Sequence, residues 1–221
     1  MRWRWPNVGW ARMNTDERTL IKAAYLTQLR HGPFTGKTFQ DTIKHDALAD
    51  LISSKYLLQH RNESEMRYTL SEEGRRLIKV VLVGGVYDVL HVGHLAALTE
   101  AKSLGDVLVV VVATDITVET LKGRKPVVPE EDRRALVEGL KPVDIAILGY
   151  EDVGFGFEQV LAEVKPDIVA FGYDQENLEK TVVEIIQRHR LGIKVVRLSR
   201  FDHEKYASSS LLKQKLSEEL S

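Results

Sequence analysis

From residue 80 onward, short apolar segments alternate with longer segments in which apolar residues recur at helical spacing. Five segments are apolar, strand-sized and rich in β-branched residues: 80–83, 107–113, 145–148, 168–171 and 193–198. Helical spacing is found at 94–104, 129–140, 157–164 and 178–190. Strands that are apolar throughout are buried on both faces. The pattern therefore predicts an α/β domain over residues 80–221, with a Rossmann-like five-stranded parallel sheet and helices on both sides. Ligands of such sheets bind at the carboxyl ends of the strands.

Residues 14–79 follow a different pattern. Helical spacing over 20–29 and 48–52, with a short helix between them marked by Phe39 and Ile43, precedes two strand-like segments at 56–60 and 67–70. Ser71 is a suitable N-cap for a last helix, predicted to run to about Lys79. Three helices followed by a hairpin resemble a winged helix-turn-helix domain. The resemblance implies a small α+β domain over residues 14–79.

Residues 1–13 contain three tryptophans and three arginines. We expect them to form a leader without fixed structure, in front of a natural start at Met13 or as part of the protein itself. An aromatic and basic arm that binds nucleic acid is the alternative.

Composition adds constraints on the class of protein. The chain has 221 residues, of which 43% are hydrophobic and 29% charged, as in a globular protein. It contains no cysteine, which excludes disulfides and thiolate metal sites, and no apolar run of membrane-spanning length. No signal peptide is visible, so we expect a cytoplasmic protein. Residues 1–75 carry 12 basic and 9 acidic side chains, whereas the remainder carries 19 and 23. The predicted α/β domain is therefore not a general polyanion binder.

Candidate chemistry is concentrated in the sequence GGVYDVLHVGH at residues 84–94, between the first predicted strand and a helix. Glycines allow close approach of the backbone to an anion, and a helix N-terminus offers free N–H groups and partial positive charge. His91 and His94 are spaced about one helical turn apart, so both can donate to phosphate oxygens, and Gly93 leaves room for a ligand between them. The segment predicts a phosphate-binding site.

This segment resembles the GTFDxxHxGH motif of the HxGH nucleotidyltransferases, which join a nucleotide to a phosphorylated acceptor and release pyrophosphate. The resemblance implies that His91 and His94 are catalytic. Two further pieces, KGRKP at 122–126 and EDRR at 131–134, are similar to the superfamily's phosphate-binding lysine loop and to an E-x-R that opens a helix. They imply that Lys125 and Arg133 are catalytic and that Lys122 binds the nucleotide. The usual threonine of the motif is Val86 here, which leaves only backbone groups at that position.

Other residues are assigned by the same resemblance. Near the histidines, the nucleotide is expected to contact Gly85, Val86, Tyr87, Val92 and Gly93. After the fourth strand Gly172 and Asp174 are expected to bind it, and Ser208, Ser209 and Ser210 at the start of a last helix are expected to hold phosphate. Asp174 as a simple turn carboxylate is the alternative. No all-protein metal site is predicted, and Mg²⁺ should arrive with the nucleotide.

Within the superfamily the chain is most similar to archaeal FAD synthases, through the segments 129–134, 141–144 and 165–167. The resemblance implies adenylyl transfer from ATP to FMN. One alternative is a CTP-dependent cytidylyltransferase acting on glycerol phosphate, phosphoethanolamine or a sugar phosphate. A second is a regulator whose winged helix binds DNA and whose α/β domain senses a nucleotide or flavin. Asp46 and Asp50 lie on the presumed recognition helix and would face phosphates badly, so we expect the first domain to support a homodimer rather than to bind DNA.

Overall fold

The computed structural model describes residues 15–40, 47–61, 65–152 and 156–200. The chain divides into two compact units, Met1–Ile78 and Lys79–Ser221. The predicted leader lies outside the described residues.

The first unit combines helices with a small antiparallel sheet. Its described elements are α1 (Thr15–His31), β1 (Phe34–Thr35), α2 (Gly36–Gln40), α3 (Ala47–Ser53), β2 (Leu57–Arg61), β3 (Met66–Leu70) and α4 (Glu72–Arg75). The strand order is β1-β3-β2, and the hairpin of β2 and β3 pairs Leu57 with Leu70 and Arg61 with Met66. The winged-helix identity of this unit stays a prediction.

The last helix of this unit is shorter than its sequence indicates. Ser71 caps α4 as predicted, because its Oγ accepts the N–H of Gly74 at 3.0 Å. The predicted extension to about Lys79 is wrong, since α4 ends at Arg75. The Arg75 guanidinium donates to the carbonyl of Ile78 at 2.9 Å, which holds the following residues in a non-helical turn.

The second unit is a parallel α/β domain. Its described elements are β4 (Val80–Gly85), α5 (Val92–Ser103), β5 (Val107–Val112), α6 (Asp115–Lys122), α7 (Glu130–Glu138), β6 (Ile145–Leu148), α8 (Gly156–Val164), β7 (Ile168–Phe171), α9 (Glu176–Arg188) and β8 (Lys194–Arg197). The five strands are parallel and lie in the order β6-β5-β4-β7-β8. The predicted Rossmann-like sheet is confirmed. Its central strands β4, β5 and β7 are buried along most of their length, as their uniformly apolar sequences require.

Three aspartates secure the amino ends of the strands. Asp106 and Asp167 accept the N–H groups of Lys79 and Val80, both at 2.7 Å, and Asp144 accepts that of Leu108 at 2.7 Å. Asp144 and Asp167 belong to the segments 141–144 and 165–167 on which the resemblance to FAD synthases partly rests. These segments therefore stabilise the edge of the sheet opposite the expected ligand site.

A helix, α6, follows β5 and ends at the first residue of the predicted lysine loop. Thr114 caps α6 by accepting the N–H of Thr117 at 3.2 Å, and Gly123 ends the helix with φ = +65°. A left-handed C-cap of this kind favours glycine. Lys122 is consequently the last residue of a helix and not part of a loop.

Candidate active site

A cavity of about 510 Å³ opens at the carboxyl ends of β4, β5 and β7. It lies where the strand order reverses, with β5 on one side of β4 and β7 on the other, which is where open parallel sheets bind ligands. One wall is apolar and is formed by side chains of α6, α8 and α9: Val118, Leu121, Phe157, Val160 and Leu178. Two histidines, two basic side chains and three aspartates also line the cavity.

The histidine turn, residues 86–94, forms the floor of this cavity. His91 is the N-cap of α5 and makes no side-chain capping bond, so the amides of Val92 and Gly93 begin the helix without a capping side chain. The His91 and His94 rings stack with their centroids 3.8 Å apart and an interplanar angle of 24°. The sequence spacing thus places both rings at the positive end of α5, as predicted.

Both histidines are neutral near pH 7. Burial, together with the nearby charges of His91 and Lys122, lowers the pKa of His94 to about 4. Burial also lowers the pKa of His91, while the charge of Asp174 opposes that shift. Nδ1 of each ring is buried with no hydrogen-bond partner among the described residues. With the proton on Nε2, each neutral ring presents one N–H donor.

Tyr87 supports the histidines from below. It is buried, has φ = +54°, and its ring lies 5.1 Å from that of His94. A Cβ on Gly85 would approach the Tyr87 ring to 2.7 Å. The glycine is therefore required by the tyrosine ring, in addition to the close approach of a ligand that the sequence predicted.

Arg133 lies in a different place from the one expected of a residue that clamps phosphate. Its side chain is fully buried, and its guanidinium donates to the carbonyls of Val86, Ala113 and Val128 and to the carboxylate of Asp115. No part of it lines the cavity. Arg133 therefore ties the histidine turn, the end of β5 and the segment before α7 together.

The basic loop, residues 123–129, connects α6 to α7 beside the histidine turn. Its end is held by Asp88, which accepts the N–H groups of Val127 at 2.6 Å and Val128 at 3.1 Å. Lys122 and Arg124 line the cavity. Lys125 does not: its side chain is 75% exposed and its Nζ lies 3.9 Å from the carboxylate of Glu119.

The opposite side of the cavity is formed after β7. Gly172 and the exposed Asp174 both line it. Gln175 connects the two halves of the sheet, since its amide oxygen accepts the N–H of Gly172 at 2.8 Å and its amide nitrogen donates to the carbonyl of Gly84 at 2.9 Å. This side chain fixes the width of the opening between β4 and β7.

The structure brings most of the predicted site together. The cavity is lined by Gly85, Val86, Tyr87, His91, Gly93, His94, Lys122, Gly172 and Asp174. Val92, Lys125 and Arg133 do not line it, and Ser208, Ser209 and Ser210 lie outside the described residues. The sequence analysis did not assign Asp88, Arg124 or Gln175. Asp88 and Gln175 lie inside motifs that the sequence identifies, but Asp88 accepts from amides 39 and 40 positions away and Gln175 donates to a carbonyl 91 positions away. Only the fold reveals these contacts.

Comparison with known proteins points to one group. Residues 82–215, more than half of the chain, match the family described as cytidylyltransferase-like. An FAD synthase of Aciduliprofundum boonei is 48% identical over 121 residues, which cover 55% of this chain and 78% of that protein. An FAD synthase of Pyrococcus abyssi is 39% identical over 145 residues, 66% of this chain and 96% of that protein.

A solved structure gives the same result for the fold. The lipopolysaccharide core biosynthesis protein of Thermoplasma volcanium superposes with a TM-score of 0.53 and 43% identity, over 57% of this chain and 99% of that one. The family match, residues 82–215, lies within the second unit. Among the described helices, none is long and apolar enough to cross a membrane.

Proposed function

The chain belongs to the cytidylyltransferase-like family and is a nucleotidyltransferase, and from this premise we propose that it is an FMN adenylyltransferase, an FAD synthase. The observation that carries the proposal is the stacked pair of neutral histidines beside Lys122, at the floor of a cavity that also has an apolar wall. Such a cavity suits two substrates that are each partly aromatic and partly anionic.

The reaction needs positioning and charge more than covalent help from the protein. A phosphate oxygen of FMN forms a bond to the α-phosphorus of ATP, while the bond from that phosphorus to the α–β bridging oxygen breaks and pyrophosphate leaves with the electron pair. His91 and His94 donate Nε2–H bonds to the oxygens that gain charge, and Lys122 adds a positive charge close to His94. No covalent intermediate on the enzyme is required.

Other predicted contacts keep their roles within this proposal. Gly172 and Asp174 would bind the ribose or the base, and Ser208, Ser209 and Ser210 would bind phosphate. Lys125 would reach the triphosphate after the basic loop moves. Mg²⁺ would come with ATP, and in the described residues no group of three metal-ligating side chains is found.

The apolar wall is the part of the cavity that favours a flavin as acceptor. Phe157, Val160 and Val118 offer a surface suited to an isoalloxazine ring, and Tyr173 is 47% exposed at the rim. Glycerol phosphate or phosphoethanolamine would leave this wall in contact with water.

The proposal is tested by measuring pyrophosphate release with ATP or CTP and a panel of FMN, glycerol phosphate, phosphoethanolamine and sugar phosphates. We expect the highest kcat/KM with ATP and FMN, and FAD as the fluorescent product after chromatography. Activity with CTP and glycerol phosphate but none with FMN would instead establish the cytidylyltransferase alternative. An absence of turnover with every pair, together with binding of a nucleotide or flavin, would favour the regulator.

We propose in addition that the protein is a cytoplasmic homodimer and that the first unit supports the dimer. The absence of cysteine suits a reducing compartment. The first unit carries acidic residues where DNA readers place basic ones, which favours dimerisation over DNA binding. Removing residues 1–70 should change the mass measured by light scattering, or the melting temperature, more than kcat. Sub-micromolar binding of the full chain to one duplex at about 150 mM salt, with weak binding to a scrambled duplex, would show that the unit reads DNA.

A further inference from the structure

Asp88 is a buried carboxylate at the edge of the cavity, and its two oxygens face different partners. Its side chain is 6% exposed. Oδ1 accepts both amides from the end of the basic loop, as described above, whereas Oδ2 lies 3.7 Å from the Nη1 atom of Arg124. A buried carboxylate is tolerated where donors and a positive charge compensate it. Asp88 thus connects the histidine turn to the loop and to one particular guanidinium.

Arg124 and Lys125 are neighbours in the chain but point to different surroundings. Arg124 is 50% exposed and lines the cavity together with His91, His94 and Lys122. Lys125 lies outside the cavity, opposite Glu119. A guanidinium offers a planar pair of donors that matches a phosphate group, which a lysine does not. Of the two, Arg124 is placed to meet the phosphates without movement of the loop.

We propose that Arg124 is a further triphosphate-binding residue and that Asp88 is the positioning residue that directs its guanidinium toward the phosphate end of the cavity. The assignment rests on the proposed use of a nucleoside triphosphate by this site. It assigns two functions to Asp88: one oxygen anchors the loop and the other orients the arginine.

The two functions can be separated by substitution. In Asp88→Asn the Oδ1 atom still accepts the two amides, but the charge facing Arg124 is lost. Arg124→Ala removes the guanidinium, and Arg124→Lys keeps a charge without the planar fork. Arg188→Ala is the matched control, because Arg188 also faces a carboxylate, that of Glu158 at 3.4 Å, and lies at the far end of α9 away from the cavity.

The measurement is the dissociation constant of the full chain for α,β-methylene ATP with Mg²⁺, by calorimetry without any acceptor. Loss of one charged hydrogen-bonding group should weaken binding by about 10- to 100-fold in Arg124→Ala. Arg124→Lys should recover part of this loss, Asp88→Asn should weaken binding several-fold, and Arg188→Ala should bind as the wild type does. The double variant should bind no more weakly than Arg124→Ala alone, since Asp88 acts through the arginine.

Wild-type affinity in Arg124→Ala would overturn the proposal, and so would additive losses in the double variant, which indicate a purely structural aspartate. If Asp88→Asn fails to fold, Asp88→Glu takes its place, because it keeps the charge and displaces it by one methylene. If the wild-type protein binds the analogue but makes no FAD, the proposed acceptor is wrong. The affinities of the variants for the analogue still decide the roles of Arg124 and Asp88. If it binds neither the ATP nor the CTP analogue, both proposals fail.

Discussion

The histidine turn and the basic loop stand side by side at the same cavity but are held in opposite ways. The turn is fixed: Tyr87 is buried beneath His94, and the carbonyl of Val86 is bonded to the buried Arg133. The middle of the loop is exposed, while its end is anchored by two amides that bind Asp88. Donors that must match a transition state need the first kind of support, because misplacement is costly. Charged side chains that close over a substrate need an exposed segment that is held at its end, like the basic loop.

The same difference in support accounts for the positions of Arg133 and Lys125, neither of which lines the cavity as predicted. Arg133 uses its donors to hold the fixed region, whereas Lys125 stays in solvent. We therefore expect Arg133 to act through the stability of the fixed region and Lys125 through movement of the loop.

The largest effect on turnover is expected from the fixed region. His94→Ala should lower kcat by about 10²–10³, the usual loss for one transition-state donor, with the far-UV circular dichroism spectrum unchanged. The control is His189→Ala, because His189 is 46% exposed, faces Glu158 and ends α9 away from the cavity. Near wild-type turnover of His94→Ala with its true substrates would remove the histidine turn from the active site. His91→Ala should behave as His94→Ala does.

The next effect is on stability and concerns the contact between the two regions. Arg133→Met leaves three carbonyls and Asp115 without their donor, which should lower the free energy of unfolding of the second unit by about 2–3 kcal/mol. The adjacent Arg134→Met should lower the free energy of unfolding by about 0.5 kcal/mol, since Arg134 forms only surface ion pairs with Glu131 and Glu138. Urea unfolding of both variants checks this. Unchanged stability with a large rise in the KM for ATP would instead give Arg133 a direct role on phosphate.

A smaller effect is expected from the exposed region. Lys125→Ala should lower kcat by about tenfold and raise the KM for nucleotide less, because the ammonium reaches the triphosphate only after the loop moves. Glu119→Gln removes the carboxylate that lies 3.9 Å from Lys125. The lysine is then released from its partner, and its effect on kcat should be easier to measure. Lys180→Ala, a surface lysine paired with Glu176, serves as the control. A pure KM effect would mean that Lys125 binds ground state and transition state equally.

The sequence predicts the fixed region well because its signals are local. Uniform β-branched runs specify the buried parallel strands, and the glycines and histidines of residues 84–94 follow one another along a single turn. Arg133 is different. The E-x-R resemblance predicts a catalytic arginine at this position, yet its side-chain partners come from residues 86, 113, 115 and 128. Only the folded chain reveals contacts between segments so far apart.

Short helices limited the prediction in the same way. The eight residues of α6 are too few for a clear period, so its Thr114 cap and Gly123 end were the only signals. α4 ends early because Arg75 bonds to the carbonyl of Ile78, a contact that helical propensity does not contain. In both cases a side chain that meets a backbone group decides where the helix begins or ends.

The smallest expected effect is the dependence of stability on pH. It tests the fixed region alone, because His94 belongs to the histidine turn and not to the basic loop. The pKa of His94 is about 4 in the folded protein and about 6.5 when the chain is unfolded, so the unfolded chain binds more protons between these values. Stability is therefore complete above about pH 6.5 and is lost as the pH falls toward 4. Between pH 7 and 5.5 the loss should be about 1 kcal/mol. Melting temperatures of the wild type and His94→Gln across this range measure it, because glutamine keeps a polar side chain but does not titrate. Parallel curves for the two proteins would mean that His94 is protonated as readily as in the unfolded chain, and that the histidine turn is far more open to water than its packing against His91 and Tyr87 requires.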